Sequence, residues 1–193
     1  MPDRPTTDRM PPIPTRRMTP QQKIAAHAVA SGPRGALIGP FIPALRSPEF
    51  MTRLQHLGEY LRYHSALGPR LGELVILLTA RHWSQNFEWH VHAPLAVKHG
   101  LTKATVAAIA RGQRPLEMQD DEALVHDFFM ELQHNHSVSD ATYTRAVKQL
   151  GEQAIIDLTG AVGYYTTLAM LMNVARTPLP QNAKPGLETL PGC

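Results

Sequence analysis

Apolar residues recur at steps of three and four along most of the chain, which is the periodicity of amphipathic α-helices. The segment "SPEFMTRLQHLGEYLRYHS" illustrates it, and its Ser47 and Pro48 are typical of a helix N-cap and first turn. Four apolar residues recur along it at three- and four-residue steps, which predicts a helix: Phe50, Leu54, Leu57 and Leu61. No β-hairpin signal and no internal repeat interrupts this pattern, so an all-α fold is predicted.

Caps and helix breakers divide the rest of the chain into further predicted helices. A first helix, "TPQQKIAAHAVA", starts at the cap Thr19, whereas glycine and proline break "SGPRGALIGPFIPAL" into loop and short turns. The apolar segment "GPRLGELVILLTARHW" is predicted as a buried helix rather than a strand, because it is long, rich in leucine and free of alternation. Further helices are predicted in "SQNFEWHVHAPLAVKHG", "KATVAAIARG", "DDEALVHDFFMELQHN", "SDATYTRAVKQLG" and "GEQAIIDLTGAVGYYTTLAMLMNVA".

Proline-rich, polar segments flank this helical region at both ends. Residues 1–19 and 177–193 lack helical periodicity and are predicted to be flexible arms around one helical domain, residues 20–176. No run of eighteen apolar residues indicates a membrane helix, and the N-terminus lacks the apolar centre of a signal peptide. A cytoplasmic protein without a membrane partner is therefore expected.

The distribution of charge argues against a nucleic-acid partner. The chain carries 19 basic and 16 acidic residues, a net charge of +3. The first 23 residues alone hold five basic and two acidic residues, so the charges of the remaining 170 residues are balanced. A basic surface on the folded domain is not indicated, and no nucleic-acid binding is predicted.

The stretch "RHWSQNFEWHVHAPLA", residues 81–96, concentrates polar and aromatic side chains that are suited to chemistry. At about 100° per residue, Gln85, Glu88 and His92 fall on one face of the predicted helix, and His90 falls on the opposite face. The two histidines of "HVH" therefore do not form a two-ligand metal site on a helix, and no metal site is predicted. Pro94 is expected to kink this helix.

Glu73 lies among apolar neighbours in the segment predicted as a buried helix. A buried carboxylate is costly unless it is paired or protonated, so a partner is expected, and a histidine is the natural one. A purely structural interpretation stays open, in which Glu73 pairs with Arg70 or Arg81. Glu88 and His92 lie four residues apart, a spacing that is also compatible with a solvated surface pair.

Residues 73–92 resemble the carboxymuconolactone decarboxylase and alkylhydroperoxidase D superfamily, whose peroxidases carry the motif E-x11-C-x2-C-x3-H. Glu73 and His92 stand at its two ends with the spacing intact, and Gln85 and Glu88 stand at the cysteine positions. The flanking segments "GELVILLTARHW" and "HAPLAVKHGLT" are also similar to the family, and the resemblance covers about residues 35–180. It implies an all-α, alkylhydroperoxidase D-like helical bundle that assembles into a homo-oligomer.

The resemblance points to the decarboxylase branch, which also lacks the cysteine pair and carries Glu-x3-His where this chain has Glu88 and His92. That branch generally has no counterpart of Glu73, so the chain combines features of both branches. The resemblance implies a cofactor-independent lyase or isomerase of aromatic catabolism, acting on a small unsaturated carboxylic acid or lactone. His92 would be the acid/base, Glu88 its proton partner and Glu73 the group that fixes its tautomer. Substrate binding is expected from four side chains: Gln85, Arg62, Arg70 and Arg81.

Two other functions stay open on the sequence alone. The chain is compatible with a non-catalytic, small-molecule-binding oligomer on the same fold, in which side chains such as Phe87 or Trp89 fill the pocket. A peroxidase is the third possibility, by family resemblance only. An open cavity beside His92 and Glu88 favours the enzyme, and a filled one favours the binding protein.

We predict that the protein does not reduce organic hydroperoxides with a dithiol reductant. That reaction needs a thiolate to attack the peroxide and a second thiol to resolve the sulfenic acid. Gln85 and Glu88 can do neither, and the one cysteine of the chain is its last residue, Cys193. A coupled peroxidase assay of the wild type and of Cys193→Ser checks this, and turnover that survives the substitution contradicts it.

Overall fold

The computed structural model describes residues 7–187, and within this range the regular secondary structure is entirely helical, with no β-strand. A 3-10 turn at Thr15–Arg17 precedes the first α-helix. The α-helices are α1 (Pro20–Ser31), α2 (Phe41–Ala44), α3 (Pro48–Tyr63), α4 (Gly68–His82), α5 (Asn86–Lys98), α6 (Lys103–Ala110), α7 (Asp120–Asn135), α8 (Asp140–Leu150) and α9 (Glu152–Ala175). The predicted all-α fold is confirmed.

Helix starts follow the caps that the sequence contains. Thr19 caps α1 and forms a capping box with Gln22, and Pro20 occupies the first helical position. Thr102 caps α6 in the same way, with its side chain accepting a hydrogen bond from the Thr105 amide. Gly100 has a φ of +109°, which lets the chain leave α5 and turn towards α6. The segment predicted as loop and short turns contains the four-residue helix α2.

Helix α4 lies at the centre of the fold. All residues from 73 to 81 are buried, and the helix packs against α3, α5, α6, α7 and α9. The segment "GPRLGELVILLTARHW" is therefore a buried helix, as its length and leucine content predicted. Because other helices surround α4, any polar side chain on it must find a partner inside the protein.

The segment with this apolar spacing is the helix α3, as predicted. Of the four apolar residues, Leu54 and Leu61 are buried, whereas Phe50 and Leu57 are 43% and 47% exposed. The residues that α3 buries share the face towards α1, α4 and α9: Met51, Leu54, Gln55, Gly58 and Leu61. Gln55 and Gly58 are part of this packed face, so apolar spacing alone does not define it.

Parts of both predicted arms contact the helical domain. The amide of Arg9 donates a hydrogen bond of 2.8 Å to the carbonyl of Ala175, at the end of α9. Near the other end, the amides of Gly186 and Leu187 donate to Oδ1 of Asn86, at 3.0 and 3.1 Å. The flexibility of the arms stays a prediction, and residues 1–6 and 188–193, with Cys193, lie outside the described range.

Helix α9 is long and apolar enough to cross a membrane by length and composition, with a mean hydropathy of 1.3 over its most apolar window. Buried core helices pass the same test, and 56% of this window is buried inside the structure. The helix packs against α3, α4 and α8. Its buried Asp157 accepts hydrogen bonds from the Tyr60 hydroxyl and the Ala66 amide, which tie the turn between α3 and α4 to α9.

Gly58 lets α3 approach α9 closely at a point that also matters for the site. A Cβ atom at this position would lie 2.0 Å from the Tyr164 hydroxyl and 2.6 Å from Nη2 of Arg34. Arg34 donates a hydrogen bond of 3.1 Å to that hydroxyl. The missing side chain thus leaves room for the Arg34–Tyr164 contact.

We predict that Gly58→Ala destabilises the protein by about 1–3 kcal/mol, because the added methyl overpacks the contact between Arg34 and Tyr164. Gly163→Ala in α9 is the matched control. Gly163 is exposed, a Cβ there meets no heavy atom within 4 Å, and we expect stabilisation of about 0.5–1 kcal/mol from helix propensity. Urea unfolding measures both, and a Gly58→Ala protein as stable as the control would contradict the packing argument.

Candidate active site

A tight turn between α4 and α5 brings the predicted catalytic residues together. Ser84 adopts a left-handed conformation with a φ of +49°, and Arg81 donates a hydrogen bond of 2.7 Å to its hydroxyl. The chain reverses here, so that α5 packs along α4. Glu73 on α4 thereby lies opposite His92 on α5, although 19 residues separate them.

His92 lies between two buried carboxyl groups. Its Nδ1 is 2.8 Å from Oε2 of Glu73, and its Nε2 is 3.3 Å from Oε2 of Glu88. The three residues are only 3–5% exposed. The alternative of a solvated Glu88–His92 surface pair is therefore wrong. Glu73 contacts His92 rather than Arg70 or Arg81, so the expected carboxylate–histidine contact is present.

The positions of the two carboxyl groups favour one tautomer of His92. Oε2 of Glu73 lies where it can accept the Nδ1–H of His92, and in that tautomer the Nε2 lone pair faces Glu88. Burial raises the pKa of Glu88 above its usual value of 4.5, although the nearby His92, Arg34 and Arg62 act in the opposite direction. Glu88 is thus favoured as a protonated acid that can share its proton with Nε2.

A cavity of about 140 Å³ opens beside His92 and Glu88. Arg34, Arg62 and Tyr165 also line it, and the Tyr165 ring meets the His92 ring edge to face at 5.7 Å. Burial raises the pKa of Tyr165 well above 10.0, so its phenol stays neutral. The volume is below the roughly 300–1,000 Å³ of pockets that hold drug-sized ligands, so the cavity fits a compact molecule.

Two arginines give this cavity a positive lining. Arg34 stacks over the Phe41 ring at 4.6 Å and donates to the Tyr164 hydroxyl. Within residues 7–187, neither Arg34 nor Arg62 forms an ion pair with a carboxylate. Both guanidinium groups are therefore available to an anionic ligand.

Arg34 was missed from the sequence. It lies in the glycine- and proline-rich loop between α1 and α2, where no periodicity assigns a side chain to a face. The one available signal was a basic residue in a loop that is otherwise apolar. Arg62, which was predicted, does line the cavity.

The structure gives Gln85 a different place from the predicted one. The helix α5 begins at Asn86, and Gln85 is its N-cap, with its side-chain oxygen accepting a hydrogen bond of 2.7 Å from the Phe87 amide. Its Nε2 donates to Oδ1 of Asn173 on α9, at 2.9 Å. Gln85 does not line the cavity, because the helix starts later than predicted and the side chain turns back to cap it.

The other two predicted arginines also lie outside the cavity. Arg70 pairs with Asp121 at 2.6 Å and with Glu122, which joins the starts of α4 and α7. Arg81 donates to the carbonyl of Ala110 at 3.1 Å as well as to Ser84. Both arginines hold the fold together, so their assignment to substrate binding is corrected.

No set of three or more histidine, cysteine, aspartate or glutamate side chains in the described part of the chain is arranged to hold a metal ion. His90 is exposed on α5, whereas His92 is buried, as the helical geometry predicted. Helix α5 continues through Pro94 to Lys98, and the kink stays a prediction.

Comparison with protein families places this site in a known context. The model of the carboxymuconolactone decarboxylase family matches residues 48–120, from the start of α3 to the first residue of α7. Over this range the chain is similar to that family. The matched range contains Glu73, Glu88 and His92 and the turn that joins them. No curated protein matches the chain.

We predict that Glu88→Gln stabilises the protein increasingly as the pH rises above 4.5. Because burial raises the folded-state pKa of Glu88, the folded protein holds the proton more tightly than the unfolded chain does. That contribution to stability is complete below the unfolded-state pKa and is lost as the pH rises through the folded-state pKa. Glutamine lacks this equilibrium, so the Tm difference between variant and wild type should grow across that window.

Thermal melts between about pH 4 and pH 8 measure this difference. Glu49→Gln is the control for the loss of one carboxyl group, since the Glu49 side chain is 78% exposed. The rise for Glu88→Gln must exceed the change for the control. A difference that is flat, or that falls with pH, would contradict a raised pKa at Glu88.

Proposed function

We propose that the protein is a cofactor-independent acid/base enzyme, a lyase or isomerase, that acts on a small unsaturated carboxylic acid or lactone. One observation carries the proposal: His92 lies between two buried carboxyl groups and opens onto a cavity with two arginines that form no ion pair with a carboxylate of the described chain. The family match supports the enzyme class. The family name supplies the first substrate to test, carboxymuconolactone.

Substrate binding is assigned to the arginines. Arg34 and Arg62 neutralise a substrate carboxylate and the negative charge that becomes delocalised during the reaction. Tyr165 forms an apolar wall with a neutral hydroxyl, and Phe87 lines the same cavity. A compact, planar, anionic molecule meets these requirements.

Glu88 and His92 move the proton. In a decarboxylation, the substrate carboxylate leaves as CO2 and its bonding electron pair is delocalised into the neighbouring unsaturated system. Protonated Glu88 then transfers its proton to the carbon and regains one from solvent, so that the sum consumes one proton and releases CO2. In an isomerisation, His92 Nε2 accepts a proton from one carbon and Glu88 delivers one to another. The proton on Nε2 then passes to the ionised Glu88 at 3.3 Å, which restores both residues with no net change.

The open cavity supports a catalytic role over binding alone. Phe87 lines the cavity without closing it, and Trp89 is buried at a different place, next to Gly186. A binding protein that had lost its reaction would not need a buried acid and a buried base around one imidazole. Ligand binding without turnover is the outcome that would favour this second function.

We also propose a homo-oligomer in the cytoplasm, with no nucleic-acid or membrane partner. The apolar helix α4 is no support for oligomerisation, because the chain's own helices cover it. Better support comes from large apolar side chains that are exposed on the described chain, such as Ile24 and Ile156, each 71% exposed.

We predict that His92→Ala and Glu88→Gln each lower kcat/KM by about 10²–10⁴-fold, the usual contribution of a positioned acid or base. The double variant should be scarcely worse than either single one, because the two residues act on one proton. Carboxymuconolactone and related unsaturated lactone acids are the probes. Release of labelled CO2 and NMR of the product distinguish decarboxylation from isomerisation.

His90→Ala is the matched control, since His90 is exposed on the same helix and should leave kcat/KM unchanged. Circular dichroism confirms that each variant is folded. Full activity in His92→Ala, or losses that multiply in the double variant, would place the chemistry elsewhere.

A further inference from the structure

Glu73 lines a second cavity, of about 290 Å³. This cavity shares Arg62, Tyr63 and Tyr165 with the first one, but it contains Glu73 and His99 in place of Glu88 and His92. Gly72 also lines it, and a Cβ atom there would meet nothing within 4 Å. Glu73 therefore contacts His92 and also borders a cavity that the proposed function does not use.

His99 faces Glu73 from this second cavity. Its Nδ1 is 3.9 Å from Oε1 of Glu73, while His92 contacts the other carboxylate oxygen, Oε2. The His99 side chain is 32% exposed, but its Nδ1 is buried and has no hydrogen-bond partner in the described structure. Buried polar atoms in proteins nearly always form a hydrogen bond, so this one calls for an explanation. His99 Nδ1 forms no structural hydrogen bond that would explain its position.

One carboxylate thus serves two imidazoles. A protonated His99 draws the negative charge of Glu73 towards Oε1, and less of it is left for the His92 Nδ1–H at Oε2. A neutral His99 leaves the charge of Glu73 to His92 alone. The His99 side chain is partly exposed to solvent, and its Nδ1 faces Glu73. A proton that His99 takes up from solvent therefore changes the charge near Glu73, the residue that contacts His92.

We propose that His99 is a positioning residue of the active site, which acts through Glu73 and sets how strongly that carboxylate holds His92. It touches no substrate. The effect of His99 on catalysis rests on the proposed function. The coupling between His99 and His92 does not depend on any substrate. Charged and titratable groups near His99 come from every element around it: Arg62 and Tyr63 on α3, Arg70 and Glu73 on α4, Lys98 on α5 and Tyr165 on α9.

The test follows the Nδ1 proton of His92 by NMR in the full-length protein without substrate. In the wild type, its signal should move as the pH is lowered and His99 takes up a proton, because the hydrogen bond to Glu73 weakens. In His99→Gln this movement should be lost. His90→Gln, an exposed histidine of the same helix, should keep it.

An unmoving signal in the wild type, or the same movement in His99→Gln, would overturn the proposal. If His99→Gln does not fold, His99→Asn gives the same test with a smaller polar side chain. On any substrate that the enzyme turns over, wild-type kcat should show a pH limb that His99→Gln removes, while KM stays within about twofold. A wild-type signal that does not move with pH refutes the coupling, whereas absence of turnover in a wild type whose signal does move refutes the proposed reaction alone.

Discussion

The site depends on one constraint, which is the burial of Glu73 in a helix that the rest of the protein surrounds. A carboxylate in that position would cost several kcal/mol if it had no partner. His92 is the partner, with its Nδ1 2.8 Å from Oε2 of Glu73. The left-handed turn at Ser84 brings the two side chains together. The packing of α5 on α4 and the orientation of the imidazole therefore follow from the need to satisfy a single buried charge.

Because Nδ1 of His92 contacts Glu73, the other ring nitrogen, Nε2, is left for chemistry. Nε2 faces Glu88, whose pKa burial raises, so a base and an acid are held side by side in the wall of a cavity. Arg34 and Arg62 line the same cavity and give it a positive charge that attracts anions. The combination suits a reaction in which negative charge forms on carbon and a proton must be delivered to it.

Much of this arrangement could be predicted from the sequence, because helical spacing is regular. Glu88 and His92 had to share a face, and a buried Glu73 had to have a partner. Side chains whose position depends on helix ends or loops could not be placed in the same way. Gln85 became an N-cap because α5 starts at Asn86, and Arg34 reaches the cavity from a loop without periodicity. Arg70 and Arg81 are captured by partners distant in the sequence, Glu122 and Ala110, which no local pattern reveals.

The position of the proton on His92 tests the central claim most directly. NMR of protein labelled with ¹⁵N at histidine distinguishes a proton on Nδ1 from one on Nε2 at neutral pH. Because Glu73 accepts from Nδ1, the account predicts the Nδ1–H form in the wild type and its loss in Glu73→Gln. A wild-type His92 that carries its proton on Nε2, with Nδ1 bare towards Glu73, would contradict the account.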